Sequence, residues 1–67
     1  MEKFILMVKE MAGIEGTILV HNDALKKVSP YFAQAHPRHF INFCDKNGII
    51  ADWDGGLRAY WCRRLVI

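Results

Sequence analysis

The chain has 67 residues, nine basic against seven acidic side chains, a net charge of +2 and 52% hydrophobic residues. That composition excludes a disordered polymer, and the charge is too small to imply nucleic acid or an anionic membrane as the obligatory partner. A chain of this length folds as one domain, residues 1–67, and buries only about 60% of the surface that its unfolded form exposes. Its two tryptophans and four phenylalanines suffice to fill a small core, and they also favour apolar surface that a partner, a second copy or another protein, completes.

Lys3 to Glu10 fits two patterns. As a strand it sets Phe4, Leu6 and Val8 on one face; as a helix it is apolar nearly all round and ends at Gly13. The β-branched and aromatic content favours the strand. The apolar run is interrupted by Lys9 and Glu10, which makes it too short to cross a membrane or to serve as a signal segment. Met11 to Gly16 reads as a loop, and Thr17 to His21 as a short, mostly apolar strand suited to the middle of a sheet. Asn22 and Asp23 supply a helix N-cap and a first-turn negative charge. Leu25, Val28, Phe32 and Ala35 then form the stripe of a helix lying on a sheet. Ser29-Pro30 predicts either a kink in one helix from about Asp23 to Ala35 or two short helices meeting at Ser29, and Pro37 ends the helical region.

From His39 to Ile67 the pattern predicts a three-stranded antiparallel meander. Asp45-Lys46-Asn47-Gly48 and Trp53-Asp54-Gly55-Gly56 each place Asp and Gly as a tight hairpin turn requires. Three-residue loops would pair Asp45 with Ile49 and Trp53 with Leu57. One face then holds Ile41, Phe43, Ile49, Ala51, Trp53, Leu57, Ala59 and Trp61, and the helix face carrying Leu25, Val28 and Phe32 covers it. The other holds Asn42, Cys44, Ile50, Asp52, Arg58, Tyr60, Cys62 and Arg64. The expected fold class is α+β: a small, mostly antiparallel sheet in the order β-β-α-β-β-β, with one kinked or split helix on one face.

Few residues point to catalysis. Cys44 and Cys62 fall on the outer face with Ile50 and Tyr60 between them, too far apart for a bridge, and read as reduced thiols of a cytoplasmic protein. His36-Pro37-Arg38-His39 has an H-x-x-H spacing that Pro37 keeps off a helix, and neither cysteine has a near partner, so no metal is expected. Ser29, the only serine, caps a helix. Asp52 faces Arg58 as a cross-strand ion pair, Asp54 shapes a turn, and Gly55-Gly56 lies between strands rather than before a phosphate-binding helix. These readings imply no enzyme and no cofactor.

The outer face of the last strand, Arg58, Tyr60 and Arg64 with Arg63 and Ile50 beside them, is the candidate binding surface. Tyrosine and arginine are over-represented as interface anchors, and the same residues could stack a base and hold phosphates. A solvated face with Arg58 balanced by Asp52 fits the pattern as well. Because the remaining basic residues form no single stripe, a protein partner ranks first, nucleic acid second, and a homo-oligomer joined by sheet edges or faces, in the simplest case a homodimer, third; no membrane role is implied.

In length and order of elements, Lys3–Val8, then Thr17-Ile18-Leu19-Val20-His21-Asn22-Asp23-Ala24-Leu25, then the terminal meander, the chain resembles small phage-encoded inhibitors, including anti-CRISPR proteins and inhibitors of host polymerase. The resemblance implies an inhibitor, carried by a phage or mobile element, that blocks a host protein or nucleoprotein complex in the host cytoplasm. It assigns no residue a role.

Overall fold

The computed structural model describes residues 1–65; the end of the expected last strand, Val66 and Ile67, lies outside them. The chain runs α1 (Glu2–Glu15), β1 (Thr17–His21), α2 (Asn22–Val28), α3 (Pro30–Gln34), α4 (Pro37–Lys46), β2 (Ile49–Asp54) and β3 (Ala59–Arg64). The class is α+β, with four helices and a three-stranded antiparallel sheet in the order β1-β3-β2. The element order is therefore α-β-α-α-α-β-β, not β-β-α-β-β-β.

The first segment is a helix because burial there follows a helical rather than an alternating pattern. Phe4, Ile5, Val8 and Ala12 point into the core, while Leu6, which an alternating strand would bury with Phe4 and Val8, is 59% exposed. The helix runs past Gly13 and closes at Gly16, whose φ of 90° is left-handed and whose N–H donates to the Ala12 carbonyl at 2.8 Å. Gly13 stays inside it, with the Arg64 side chain lying where a Cβ would stand.

Ser29 splits the middle helical region as the proline predicts. Its side chain accepts a hydrogen bond from the Phe32 N–H at 3.4 Å, and Pro30 opens α3. Asn22 is not an N-cap: it is the first residue of α2, and its Nδ2 donates to the Ala33 carbonyl, tying the start of α2 to the end of α3. Leu25 is fully buried and Phe32 packs against the core, but Val28 is exposed.

The largest departure is α4, which occupies the place of the meander's first strand. Pro37 starts this helix instead of ending one, since its missing N–H would be unpaired in a first turn anyway, and the Nδ1 of His36 caps it by accepting from the Arg38 N–H at 3.1 Å. Phe40 and Cys44 are buried one turn apart, flanked by Ile41 and Phe43. Asp45-Lys46-Asn47-Gly48 is then a helix end. Asn47 Nδ2 donates to the Phe43 carbonyl at 2.8 Å, and Gly48 turns the chain with φ 81°. Asn-Gly suits a left-handed helix terminus as well as it suits a hairpin.

The β2–β3 hairpin exists, in a different register. Trp53 pairs with Tyr60 rather than Leu57, a displacement of three residues, and the last pair is Asp54 with Ala59. Because side chains alternate, an odd displacement turns β3 over relative to β2. Tyr60 and Cys62 face the helices with Ile49 and Ala51, and with Ile18 and Val20 of β1. Trp61 faces away. β3 is the central strand, and β1, expected in the middle, lies at an edge.

Candidate functional site: the open face of the sheet

All four helices gather on one side of the sheet, where α1, α2 and α4 bury side chains against Ile18, Val20, Ile49, Ala51, Tyr60 and Cys62. Among the described residues no helix or strand covers the other side, where Ala59 alone is fully buried. Reading across the strands, its rows are Thr17–Arg63–Ile50, Leu19–Trp61–Asp52 and His21–Ala59–Asp54. Trp61 occupies the middle of the middle row and is 41% exposed. Leu19 and Ile50 are half-buried beside it, and Thr17, His21, Arg63 and Asp52 are exposed.

The indole is held in place. Its Nε1 donates to Asp54 Oδ2 at 3.2 Å, while Asp54 Oδ1 accepts from the Gly56 and Leu57 N–H groups at 3.0 and 3.1 Å. One carboxylate thus organises both the hairpin loop and the tryptophan. These bonds, the Leu57 N–H first and the Trp61 indole next, hold the Asp54 carboxyl below the usual carboxylate range. Arg58, in the same loop, has a left-handed φ of 53°.

Round the β1 side the face continues into a groove of about 480 Å³ between α1 and β1, lined by Phe4, Met7, Val8 and Met11 on the helix and by Leu19 and Trp61 on the sheet. Met7 and Met11 are exposed there.

The five residues expected to form one binding surface do not share one. Tyr60 is 1% exposed, with its ring 4.6 Å from Phe40 and 4.8 Å from Trp53 between centroids. Arg64 lies on the helix side, its stem against Gly13. Arg58 has left the strand for the loop, so the cross-strand pair with Asp52 does not form; Asp52 stands opposite Trp61. Only Arg63 and Ile50 remain together, as cross-strand partners on the open face. Trp61, expected in the core, lies on the open face instead. Nothing in β3 alone corrects it, because both alternating sets of that strand carry one aromatic ring and one arginine.

Cys44 and Cys62 sit on the inner side, buried and free. Burial pushes the Cys44 thiol up to about 12, with Cys62 adding to the rise, and pushes Cys62 up to about 11, with Asp52 adding. Both thiols are protonated at neutral pH, and neither is a ready nucleophile. The histidines are dispersed: His36 caps α4, His39 packs beside Tyr31 at 6.2 Å between ring centroids, and His21 lies on the open face. Among the described residues no three His, Cys, Asp or Glu side chains converge as a metal-binding group, and no helix is long and apolar enough to cross a membrane.

No protein-family model, curated protein or solved structure matches this chain.

Proposed function

We propose that this chain is a small, non-enzymatic protein-binding module whose docking face is the open side of the sheet, centred on Trp61. The observation that carries the reading is a half-exposed tryptophan, fixed by a carboxylate, in the middle of a sheet face that no described element covers. Tryptophan and arginine are the side chains that most often anchor protein interfaces, and an indole held in one orientation loses little entropy on binding. Leu19 and Ile50 supply an apolar surround, and Arg63, Asp52 and His21 a polar rim.

Charge favours a protein over nucleic acid. A polyanion would meet Arg63 together with Asp52 and Asp54, while Arg64 is turned to the helices and Arg58 to the loop. The ring that would have stacked a base, Tyr60, is in the core. The layout that suggested phage inhibitors is also not that of the molecule, since Lys3–Val8 is helical and the meander's first strand is α4. A role as an inhibitor that blocks a host protein in the cytoplasm would act through the Trp61 face by occupying a surface of its target.

The test is capture from cell extract by the tagged chain, with and without nuclease, alongside a Trp61→Ala/Arg63→Ala variant. A protein retained by the parent after nuclease treatment and lost by the variant is the expected result. Capture that nuclease abolishes assigns the chain to nucleic acid, and equal capture by both forms places the interface elsewhere.

A further inference from the structure

The two edges of the sheet are not equivalent. β2 carries Asp52 and Asp54, and charges on an edge strand discourage further pairing. β1, Thr17-Ile18-Leu19-Val20-His21, has no acidic residue, lysine, arginine or proline, and among the described residues it pairs on one side only. The Asn22 N–H donates to the Arg58 carbonyl at 2.9 Å, which fixes the phase of the ladder: Ile18 and Val20 direct their main-chain groups at β3, and Thr17, Leu19 and His21 direct theirs outward. Among the described residues no main-chain group meets these outward donors and acceptors.

We infer that a second copy of this chain occupies that edge, β1 pairing antiparallel with β1 about a twofold axis at Leu19, so that two three-stranded sheets become one of six strands. The strand is complementary to itself. Its burial runs exposed, buried, intermediate, buried, exposed, symmetric about Leu19. Twofold pairing sets Leu19 against its equivalent, Thr17 against His21, and Ile18 against Val20, matching apolar with apolar and polar with polar. Every outward N–H and C=O then finds a partner, because the outward residues pair only with outward residues.

The same axis closes the groove. α1 packs on both β1 and β3. With strands about 4.8 Å apart, a helix centred on that boundary would stand about 10 Å from its equivalent, the ordinary separation of packed helices. Met7 and Met11, exposed on the groove's helical wall, then face their equivalents across the axis, antiparallel. No charged side chain falls within the paired strands, and Glu15, in the wall of the groove that the axis closes, is the charge through which salt acts on the association. The pairing also sets two Trp61 faces side by side on one continuous surface. It does not depend on what those faces bind.

The experiment is sedimentation of the full chain over a concentration series, with Leu19→Lys and Leu19→Cys variants. The parent should sediment as a dimer. Leu19→Lys, which sets two ammonium groups on the axis in place of two leucines, should weaken the dimer by about a hundredfold while the far-UV spectrum stays unchanged. Leu19→Cys should give a covalent dimer on mild oxidation, since residues opposed in such a pair stand about 5.5 Å apart at Cα, within disulfide reach; Ile50→Cys, near the other edge, should not. The Thr17, Leu19 and His21 amides should exchange slowly in the dimer, a readout that survives if Leu19→Lys fails to fold. A parent that is monomeric throughout, or a dimer that Leu19→Cys does not cross-link, overturns the inference. Trp61→Ala/Arg63→Ala should remain dimeric, so loss of partner capture and loss of dimer are separable results.

Discussion

Tyr60 and Trp61 are neighbours in sequence, both large and aromatic, and they lie on opposite sides of the sheet. Tyr60 is enclosed by Phe40 and Trp53 under the helices; Trp61 lies on the open face, tied to Asp54. Hydrophobicity does not separate them, since tryptophan is the more obvious core residue of the two. Register separates them: with Trp53 opposite Tyr60, the alternation of β3 leaves no other outcome. The side on which a residue falls therefore decides whether it serves stability or recognition, and the two roles can be tested one residue apart.

The largest difference is expected in that pair. Tyr60→Ala removes a fully buried ring and should cost roughly 3–5 kcal/mol, enough to unfold most of a domain this small. Trp61→Ala removes a half-exposed ring and one surface hydrogen bond and should cost no more than about 1 kcal/mol. Urea titration of the two variants checks this, and the reverse order of costs would restore the register in which Trp61 is core.

The alkaline limit of stability should come from the same inner side. Burial raises Cys44 to about 12 and Cys62 to about 11, from an ordinary thiol value of 9.0, and raises the Tyr60 phenol as well, by desolvation first and by the neighbouring thiols next. A group whose folded-state value is raised contributes stability that is whole below its unfolded value and is lost as pH rises through the folded one. Melting temperature should thus be insensitive to these groups up to about pH 9 and then fall through the range to pH 11–12. A Cys44→Ala/Cys62→Ala variant should flatten that fall, and thiol reagents at neutral pH should modify the parent only as fast as it opens.

Where the sequence misleads, the physical cause is punctuation that serves two structures. Asn47-Gly48 ends a helix as readily as it turns a hairpin, and Pro37 begins a helix as readily as it stops one. Phe40, Ile41 and Cys44 carry a helical spacing, but Ile41, Phe43 and Asp45 also alternate, and the hairpin signal selected the second reading. Where only one structure fits, the sequence is legible: Thr17 to His21 is a strand, Ser29-Pro30 splits the helix, and the class is α+β. The open face was partly legible through Arg63 and Ile50. Trp61 was not, because its placement follows from a four-residue loop whose length is set by hydrogen bonds from the Gly56 and Leu57 N–H groups to the Asp54 carboxylate, not by any preference of β3.

Arg63 and Arg64 repeat the contrast at the end of the strand. Arg64 lies over Gly13, where an added Cβ would stand 2.8 Å from its Nη1 and 3.3 Å from its Cδ. Gly13→Ala gains helix propensity worth up to about 1 kcal/mol but requires that flexible side chain to move. The single change should be near neutral, and the gain should emerge in the Gly13→Ala/Arg64→Ala background. Gly13→Ala with Arg63→Ala should show no such coupling, because Arg63 points to the open face. Equal coupling with both arginines would mean that the two side chains are not divided between the faces.

The smallest effect belongs to Asp54, and it reads the open face directly. Hydrogen bonds from the Leu57 N–H, the Trp61 indole and the Gly56 N–H hold this exposed carboxyl below its ordinary value of 3.8. A depressed carboxylate contributes stability that is present above its unfolded value and is lost as pH falls through the folded one. Because the carboxylate lies at the surface, the change in overall melting should be slight, and the informative signal is local. The Trp61 indole N–H resonance should hold its position down to the ordinary carboxylate range and shift only below it, as protonation removes the acceptor. Asp54→Asn should abolish that transition and also weaken partner capture, since the indole would no longer be held in one orientation. If the indole resonance instead titrates at an ordinary carboxylate value, Asp54 is not its anchor, and the preorganised tryptophan that distinguishes the outer face of β3 from a merely exposed one is lost with it.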